Sequence, residues 1–256
     1  MPPEDVSDEL LIAVFIDFEN LAIGAKDMER HRFEIQLVLK RLLEKGRIVF
    51  KRAYCDWSRY RDAVQPFHKA GIEMIDIPQS KVSGKNSADI RMVVDALDLC
   101  YSKEHIDTFA LISGDSDFSP LVSKLKENDK YVIGCGIKKS TSDLLISNCD
   151  EFIYYDDLVR LTKKTRKPRK PKAPKLDNKK QEAVDKLAEI VASLESDYDP
   201  VWGSQVKQTL RRVFPGFNEA YFGYKNFSDL LEAAEKQGLV KLDFDERRGN
   251  YTVQSP

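Results

Sequence analysis

The sequence contains few of the residues that common metal centres and nucleophilic hydrolases use. Its three histidines and four widely spaced cysteines include no CxxC pair, so we expect no zinc site. No histidine stands where it would partner a serine, which disfavours a serine nucleophile. No glycine-rich loop follows the first apolar run, and this absence disfavours a nucleotide-dependent glycosyl or phosphoryl transferase.

Long apolar runs are also missing. The longest, Leu10 to Ile16, is far too short to span a bilayer, and the N-terminus lacks the basic-then-apolar order of a secretory signal. The cysteines lie in apolar contexts, so we predict reduced, buried thiols in a cytoplasmic protein. With 256 residues, 42% of them apolar, the chain can form one large domain and one small one.

The net charge of −1 conceals a strong segregation of charge. Residues 163–175 contain eight lysines or arginines and no acid, and three prolines interrupt this stretch. We predict an extended linker, because such a segment cannot bury a core and repels itself. Lys167, Arg169 and Lys170 would contact a polyanion there, while a plain solubilising tether is the alternative.

Apolar runs alternate with helical patterns over residues 1–161. This rhythm predicts an α/β domain with a mostly parallel sheet covered on both faces. Residues 162–176 form the basic, proline-rich linker. Over residues 177–256 three amphipathic helices precede a β-hairpin, which is the outline of a small winged helix-turn-helix domain.

Acidic residues stand where two of the predicted strands end. Asp17 closes LLIAVFID, while Asp115 and Asp117 follow TFALIS in the motif GDSD. Ligands of open parallel sheets bind at the carboxyl ends of strands where the strand order reverses, so Asp17 and Asp115 would meet if their strands are neighbours. For Asp17 an ordinary turn acid is an equal alternative.

Other polar residues surround these strand ends. Asp89 lies on the inward stripe of a predicted helix, where it is either a metal ligand or an acid that stabilises the start of the helix. Ser87 already provides an N-cap, which weakens the second alternative. Asn20 would hold Asp17 or cap the next helix, and Ser113 lies near the site. Lys81 and Lys85 either meet a phosphate or belong to a solvated loop.

Carboxylates without histidine or cysteine suit a hard cation such as Mg²⁺ or Mn²⁺. We therefore predict that Asp17, Asp89 and Asp115 bind such an ion, with Asp117 as a further ligand or as the group that orients water. Clustered carboxylates repel one another, and some should have raised pKa values without a metal. Such a site would activate water and stabilise charge on a phosphate.

The segments FIDFEN, NSADIRMVVDAL and LISGDSDFSPLVSKLKENDKYVIGCG resemble the NYN domain, a branch of the PIN-like nucleases, over roughly residues 10–160. The resemblance implies a three-layer α/β/α fold and metal-dependent cleavage of RNA. It places the family's acidic positions on Asp17, Asp89, Asp115 and Asp117. Asp95 also falls in the family's helix pattern, where its angle from Asp89 favours a supporting or structural role.

The stretch from WGSQVKQTLRR to GLVKL is similar to the OST-HTH (LOTUS) domain, which implies binding of RNA or of protein partners. Lys207, Arg211 and Arg212 share one predicted helix, and aromatic residues surround Lys225, an arrangement that suits backbone contact and base stacking. The alternative is that most of those aromatic residues are core. The sequence thus predicts a metal-dependent ribonuclease, with a non-catalytic RNA- or protein-binding adaptor as the alternative.

Overall fold

The computed structural model describes residues 9–26, 33–78, 86–165 and 178–256. The chain divides into two compact units. In the described part of the first unit, a six-stranded parallel sheet has the order β3-β2-β1-β4-β5-β6. Its strands are β1 Leu10–Asp17, β2 Gly46–Cys55, β3 Glu73–Asp76, β4 Thr108–Ile112, β5 Tyr131–Gly136 and β6 Glu151–Tyr154.

Helices cover both faces of this sheet. They are α1 Phe18–Lys26, α2 Ile35–Lys45, α3 Arg61–Lys69, α4 Ser87–Ser102, α5 Ser119–Glu127, α6 Asp143–Asn148 and α7 Tyr155–Thr165. The hydrophobic cluster on one face draws on α1, α2, α3 and α7, and the cluster on the other draws on α4, α5 and α6. The α/β prediction and the three-layer α/β/α arrangement are therefore confirmed.

Strand β1 occupies the middle of the sheet because both of its faces are apolar. Ile12, Val14 and Ile16 pack into one hydrophobic cluster, whereas Ala13 and Phe15 pack into the other. A run that alternates between two cores must be apolar at every position, as buried parallel strands are. The predicted strand in LLIAVFID is therefore confirmed.

The strand order reverses between β1 and β4. The chain adds β2 and β3 on one side of β1 and then returns to place β4 on the other side. Ile16 lies opposite Ile112 in the register, so both strands reach the same edge of the sheet together. Strands β1 and β4 are therefore neighbours, which is the condition for Asp17 and Asp115 to meet.

Three details differ from the sequence predictions. Ser87 was predicted as the N-cap of α4, but it is the first helical residue and Asn86 holds the cap position. Ile90 follows the helical spacing of apolar residues in the sequence of that helix, which predicts a buried side chain. It is nevertheless 63% exposed, because Met92, Ala96 and Cys100 form the buried face.

The third difference concerns the basic segment. Helix α7 continues to Thr165, so the first four residues of the predicted extended linker are helical. The limits of the two domains and of the linker that the sequence suggested stay predictions.

No helix in the described ranges is both long and apolar enough to cross a membrane.

In residues 178–256, the described stretch of the second unit, three helices precede a β-hairpin, as predicted. Its elements are α8 Asn178–Leu194, α9 Gly203–Val213, α10 Phe227–Lys236, β7 Lys241–Asp245 and β8 Asn250–Gln254. Apolar residues of the helices enclose a single hydrophobic cluster, to which β8 contributes Val253. The hairpin is antiparallel, and Trp202 before α9 forms a bridge to Thr252 of β8.

Candidate functional site

Asp17 is the buried centre of the candidate site. It is the last residue of β1 and only 7% exposed. The Ser113 hydroxyl donates to its Oδ2 at 2.8 Å, and the backbone N–H of Asn20 donates to its Oδ1 at 3.3 Å. Burial raises the pKa of Asp17 from its ordinary 3.8 to about 7, against the lowering effect of these two hydrogen bonds.

The segment 113–117 is tied to Asp17 and to the first turn of α1. The backbone N–H of Asp115 donates to the Ser113 hydroxyl oxygen at 3.2 Å, and that of Gly114 donates to Oδ1 of Asn20 at 2.9 Å. Asn20 lies inside α1, so it joins the two segments and does not cap a later helix. The predicted proximity of Asn20 and Ser113 to the strand ends is therefore observed.

Asp115 and Asp117 lie at a short 3₁₀ turn, Ser116–Phe118, that leads into α5. The Oδ1 atom of Asp115 accepts a hydrogen bond from the backbone N–H of Asp117 at 3.0 Å. Asp115 is half-buried and Asp117 is exposed. The Oδ1 atom of Asp115 thus forms the local hydrogen bond that is typical of an ordinary turn. The other carboxylate oxygen lies at the edge of the sheet.

Asp89 faces these residues from the first turn of α4. Burial, and after it the charges of Asp115, Asp117 and Glu19, together raise the pKa of this half-buried carboxyl to about 6. Asp89 and Asp115 likewise raise the pKa of Asp17. Asp17 is therefore within electrostatic range of Asp89 and Asp115, and Asp89 is within range of Asp115 and Asp117, so repulsion between carboxylates is present at this edge of the sheet.

These acids do not form a ready-made ligand cluster. Within the described ranges, no group of three or more His, Cys, Asp or Glu side chains is arranged to hold a metal ion. Both carboxylate oxygens of Asp17 and one oxygen of Asp115 accept hydrogen bonds from neighbouring protein groups. The donor set nevertheless fits a hard cation, since it consists of oxygen atoms and since bound positive charge would relieve the repulsion.

Glu19 belongs to this acidic neighbourhood, and the sequence reasoning missed it. It lies in the first turn of α1 and pairs with Arg59, with Oε1 3.0 Å from the guanidinium Nη1. Its charge contributes to the raised pKa of Asp89. The sequence signal that could have identified Glu19 is its position two residues after Asp17, at the junction between strand and helix. The first turn of a helix at such a junction lies at the edge of the sheet.

Asp95 has a different environment from the other acids of α4. Its carboxylate accepts hydrogen bonds from Arg52 at 2.7 Å, from the Tyr54 hydroxyl at 2.8 Å and from Arg91 at 2.9 Å. These partners lie on β2 and on α4 itself. The contacts agree with the supporting role expected for Asp95, which attaches the helix to the sheet.

In the second unit the predicted basic residues of α9 have protein partners. Arg211 pairs with Glu219 at 3.2 Å, Lys207 lies 5.8 Å from the centre of the Phe227 ring, and Arg212 donates to the Thr209 hydroxyl at 2.9 Å. The expectation that most nearby aromatic residues are core is correct for Phe222, Tyr224 and Phe227.

Tyr221 differs from those aromatic residues, because it is 62% exposed. The cation over its ring is Lys179, at 4.8 Å, and not the neighbouring Lys225 that the sequence suggested. The predicted contacts of Lys81, Lys85 and the linker residues Lys167, Arg169 and Lys170 lie outside the described residues.

Comparison with known families agrees with this architecture. The family model of the NYN domain matches residues 11–156, and that of the OST-HTH/LOTUS domain matches residues 178–246. The two matches fall in the two units and in the order that the sequence resemblance implied.

Two individual proteins are similar to part of this chain. Uncharacterized protein MJ0482 of Methanocaldococcus jannaschii is 30% identical over 146 residues, which cover 56% of this chain and 58% of that protein. The chain thus spans less than two thirds of this relative. The crystal structure of a protein of unknown function, VPA0982 from Vibrio parahaemolyticus RIMD 2210633, has a TM-score of 0.53 and 24% identity, and it covers 60% of this chain and 98% of its own. The second similarity shows the fold alone.

Proposed function

The chain belongs to the NYN family, a branch of the PIN-like nuclease superfamily, and from this premise we propose that it is a Mg²⁺- or Mn²⁺-dependent ribonuclease that hydrolyses phosphodiester bonds of RNA. The observation that carries the proposal is the meeting of Asp17, Asp89 and Asp115 at one edge of the sheet, where the charges of Asp89 and Asp115 raise the pKa of Asp17 and the charge of Asp115 raises the pKa of Asp89. Such mutual repulsion costs stability without serving the fold, and perturbed acids at a strand-order reversal are typical of functional sites.

In this proposal Asp17, Asp89 and Asp115 hold the cation, and Asp117 adds a ligand or orients water. A bound divalent ion supplies Lewis-acid stabilisation of phosphate charge and lowers the pKa of a water molecule. Ser113 and Asn20 position the Asp17 carboxylate through their hydrogen bonds. Asn20 also accepts a hydrogen bond from the N–H of Gly114, so it connects Asp17 to the GDSD segment.

The second unit would hold or select the RNA. It carries an OST-HTH/LOTUS domain, and its exposed Tyr221 beside Lys179 offers a ring for base stacking next to a cation. The linker lysines and arginines would add phosphate contacts, and these contacts would make RNA binding strongly dependent on salt.

A non-catalytic adaptor that binds RNA or protein through the second unit is the alternative function. The observation in its favour is that no three acids of the described residues are arranged to hold an ion. In that case the first unit would serve as a scaffold, and the acids would have no effect on RNA.

Cleavage of several labelled RNAs by the full chain distinguishes these functions. The wild type is assayed with Mg²⁺, with Mn²⁺ and with EDTA, beside Asp115→Asn and Asp89→Asn. Asp98→Asn is a matched control, because Asp98 is an exposed acid on the same helix as Asp89. Loss of a group that stabilises phosphate charge by several kcal/mol should reduce the rate about a hundredfold or more.

The ribonuclease proposal expects metal-dependent cutting that Asp115→Asn and Asp89→Asn lose and Asp98→Asn keeps. If no RNA is cut with either metal, or if Asp115→Asn cuts as fast as the wild type, the proposal is wrong and the adaptor function is preferred.

A further inference from the structure

A cavity of about 480 Å³ opens between α1 and α3 in the first unit. This volume is within the range of about 300–1,000 Å³ that small-molecule sites occupy. Its apolar walls include Phe18, Phe33 and Pro66, and its polar rim includes Arg59 and Tyr60. The acid site described above does not account for this cavity.

Two residues that line the cavity connect it to the acids. Phe18, on its wall, follows Asp17 in the chain. Arg59, on its rim, pairs with Glu19, whose charge also acts on Asp89. The charges of Glu19 and Asp17 both raise the pKa of the Tyr60 hydroxyl, after burial as the main cause. Tyr60 is therefore within electrostatic range of the acid at which the reaction is proposed to occur.

Aromatic packing gives the cavity a rigid wall and leaves one ring available. Phe18 stacks on Trp57 with ring centres 5.3 Å apart and contacts Phe67 edge-on at 5.0 Å, so its position is set by the core. Tyr60 is half-buried and meets Phe18 edge-on at 5.4 Å. The Tyr60 hydroxyl forms no hydrogen bond with any described residue. The Arg59 guanidinium lies over this ring, 6.0 Å from its centre. A ligand at Tyr60 would therefore meet an aromatic ring, a hydroxyl and a neighbouring cation.

A nucleobase has the chemistry that these walls recognise. Its two faces are flat and apolar, as are the aromatic and alanine walls, and its edge carries donors and acceptors that match a hydroxyl and a guanidinium. Stacking of a base on an aromatic ring needs no particular sequence, whereas hydrogen bonds to its edge select one. An apolar metabolite would leave the polar rim unmatched beside a cluster of carboxylates.

We propose that this cavity binds a nucleobase of the RNA adjacent to the phosphodiester bond that is cut, with Tyr60 as the stacking residue and Arg59 at the base edge. The inference rests on the proposed ribonuclease function. It adds a base-selecting subsite, so that cleavage depends on the identity of the nucleotide next to the bond.

Binding can be measured without cleavage. The full-length wild type in EDTA is titrated by calorimetry with the four nucleoside 5′-monophosphates, and with ribose 5-phosphate as the probe that lacks a base. Ala63→Leu fills the cavity from α3, and Tyr60→Ala removes the ring. Ala192→Leu is the matched control, because Ala192 is exposed on α8 of the other unit. Circular dichroism checks that each variant is folded.

We expect at least one nucleotide to bind more tightly than ribose 5-phosphate. Tyr60→Ala should weaken that binding about tenfold, Ala63→Leu should abolish it, and Ala192→Leu should leave it unchanged. Base-independent binding, or equal binding by the wild type and both folded cavity variants, would overturn the inference. If one cavity variant does not fold, the other still decides.

A cleavage arm separates this inference from the ribonuclease proposal. On a randomised RNA, the wild type should cut beside a preferred base, and Ala63→Leu should cut with that preference lost. Absence of cutting by the wild type would refute the ribonuclease function but leave the binding result to stand by itself. Cutting by the wild type without any base-dependent binding would refute the subsite alone.

Discussion

Replacement of Asp17 by asparagine should stabilise the metal-free protein at neutral pH. The pKa of the folded-state carboxyl is about 7, whereas its ordinary value is 3.8. The folded state therefore binds a proton more tightly than the unfolded state between these values. Stability contributed by this group is greatest below the ordinary pKa, falls as the pH rises through 7, and is constant above it.

The magnitude follows from that interval. At roughly 1.4 kcal/mol per pH unit, the full shift of Asp17 corresponds to at most about 4 kcal/mol. Between about pH 5 and pH 8 the stability that this carboxyl contributes to the folded state would fall by roughly 2–3 kcal/mol. Asparagine has no such pH dependence, and its amide retains partners, since Ser113 can accept from it and the N–H of Asn20 can donate to it.

Urea unfolding in EDTA measures this effect. The difference in unfolding free energy between Asp17→Asn and the wild type should grow in favour of the variant by about 2 kcal/mol or more from pH 5 to pH 8. Asp89 shifts the wild-type curve in the same direction, so the comparison of the two proteins isolates Asp17.

A constant difference across pH, or a variant that is less stable than the wild type at pH 8, would refute the reasoning. Addition of Mn²⁺ at pH 8 provides a second reading. An ion that binds only the folded state stabilises it. The wild type should therefore gain stability with Mn²⁺, whereas Asp17→Asn should gain less.

Three further changes have expected outcomes. Asp95→Ala should cost about 2–3 kcal/mol in urea unfolding, because it leaves charged partners without their carboxylate, yet the folded variant should still cut RNA; equal stability would contradict this. Gly114→Ala should cost about 1–3 kcal/mol and slow cleavage, because its Cβ would lie 2.5 Å from the backbone oxygen of Ser140, whereas Gly216→Ala, with nothing within 4 Å, should be neutral. The four free cysteines should react slowly with a thiol reagent until urea is added, since burial raises the pKa of Cys135, for example, to about 12; rapid reaction of the native protein would contradict this.

Much of the first unit could be predicted because a parallel sheet imposes strong local rules. An apolar run such as β1 is recognisable where both faces are buried. The acids that follow β1 and β4 stand out because charge is costly at a buried strand end. Their meeting required only that these two strands be neighbours, which the structure confirms.

Side-chain surroundings were less predictable. Ile90 fitted a helical stripe but is exposed, because the buried face of α4 is determined by which side packs against the sheet. Asp95 and Asp89 lie on the same helix, yet one has an arginine and a tyrosine from β2 as partners and the other faces acids. Partners distant in sequence decided each case.

The sequence by itself determined the alternation of strands and helices in the first part, the presence of a smaller second part, and the acids at two strand ends. Tertiary structure alone decided the position of Glu19 among these acids and the cavity between α1 and α3 beside them. The physical reason is the distance along the chain over which each interaction acts. Backbone periodicity and burial act over a few neighbouring residues, whereas charge coupling and cavities depend on side chains that only the folded chain brings together.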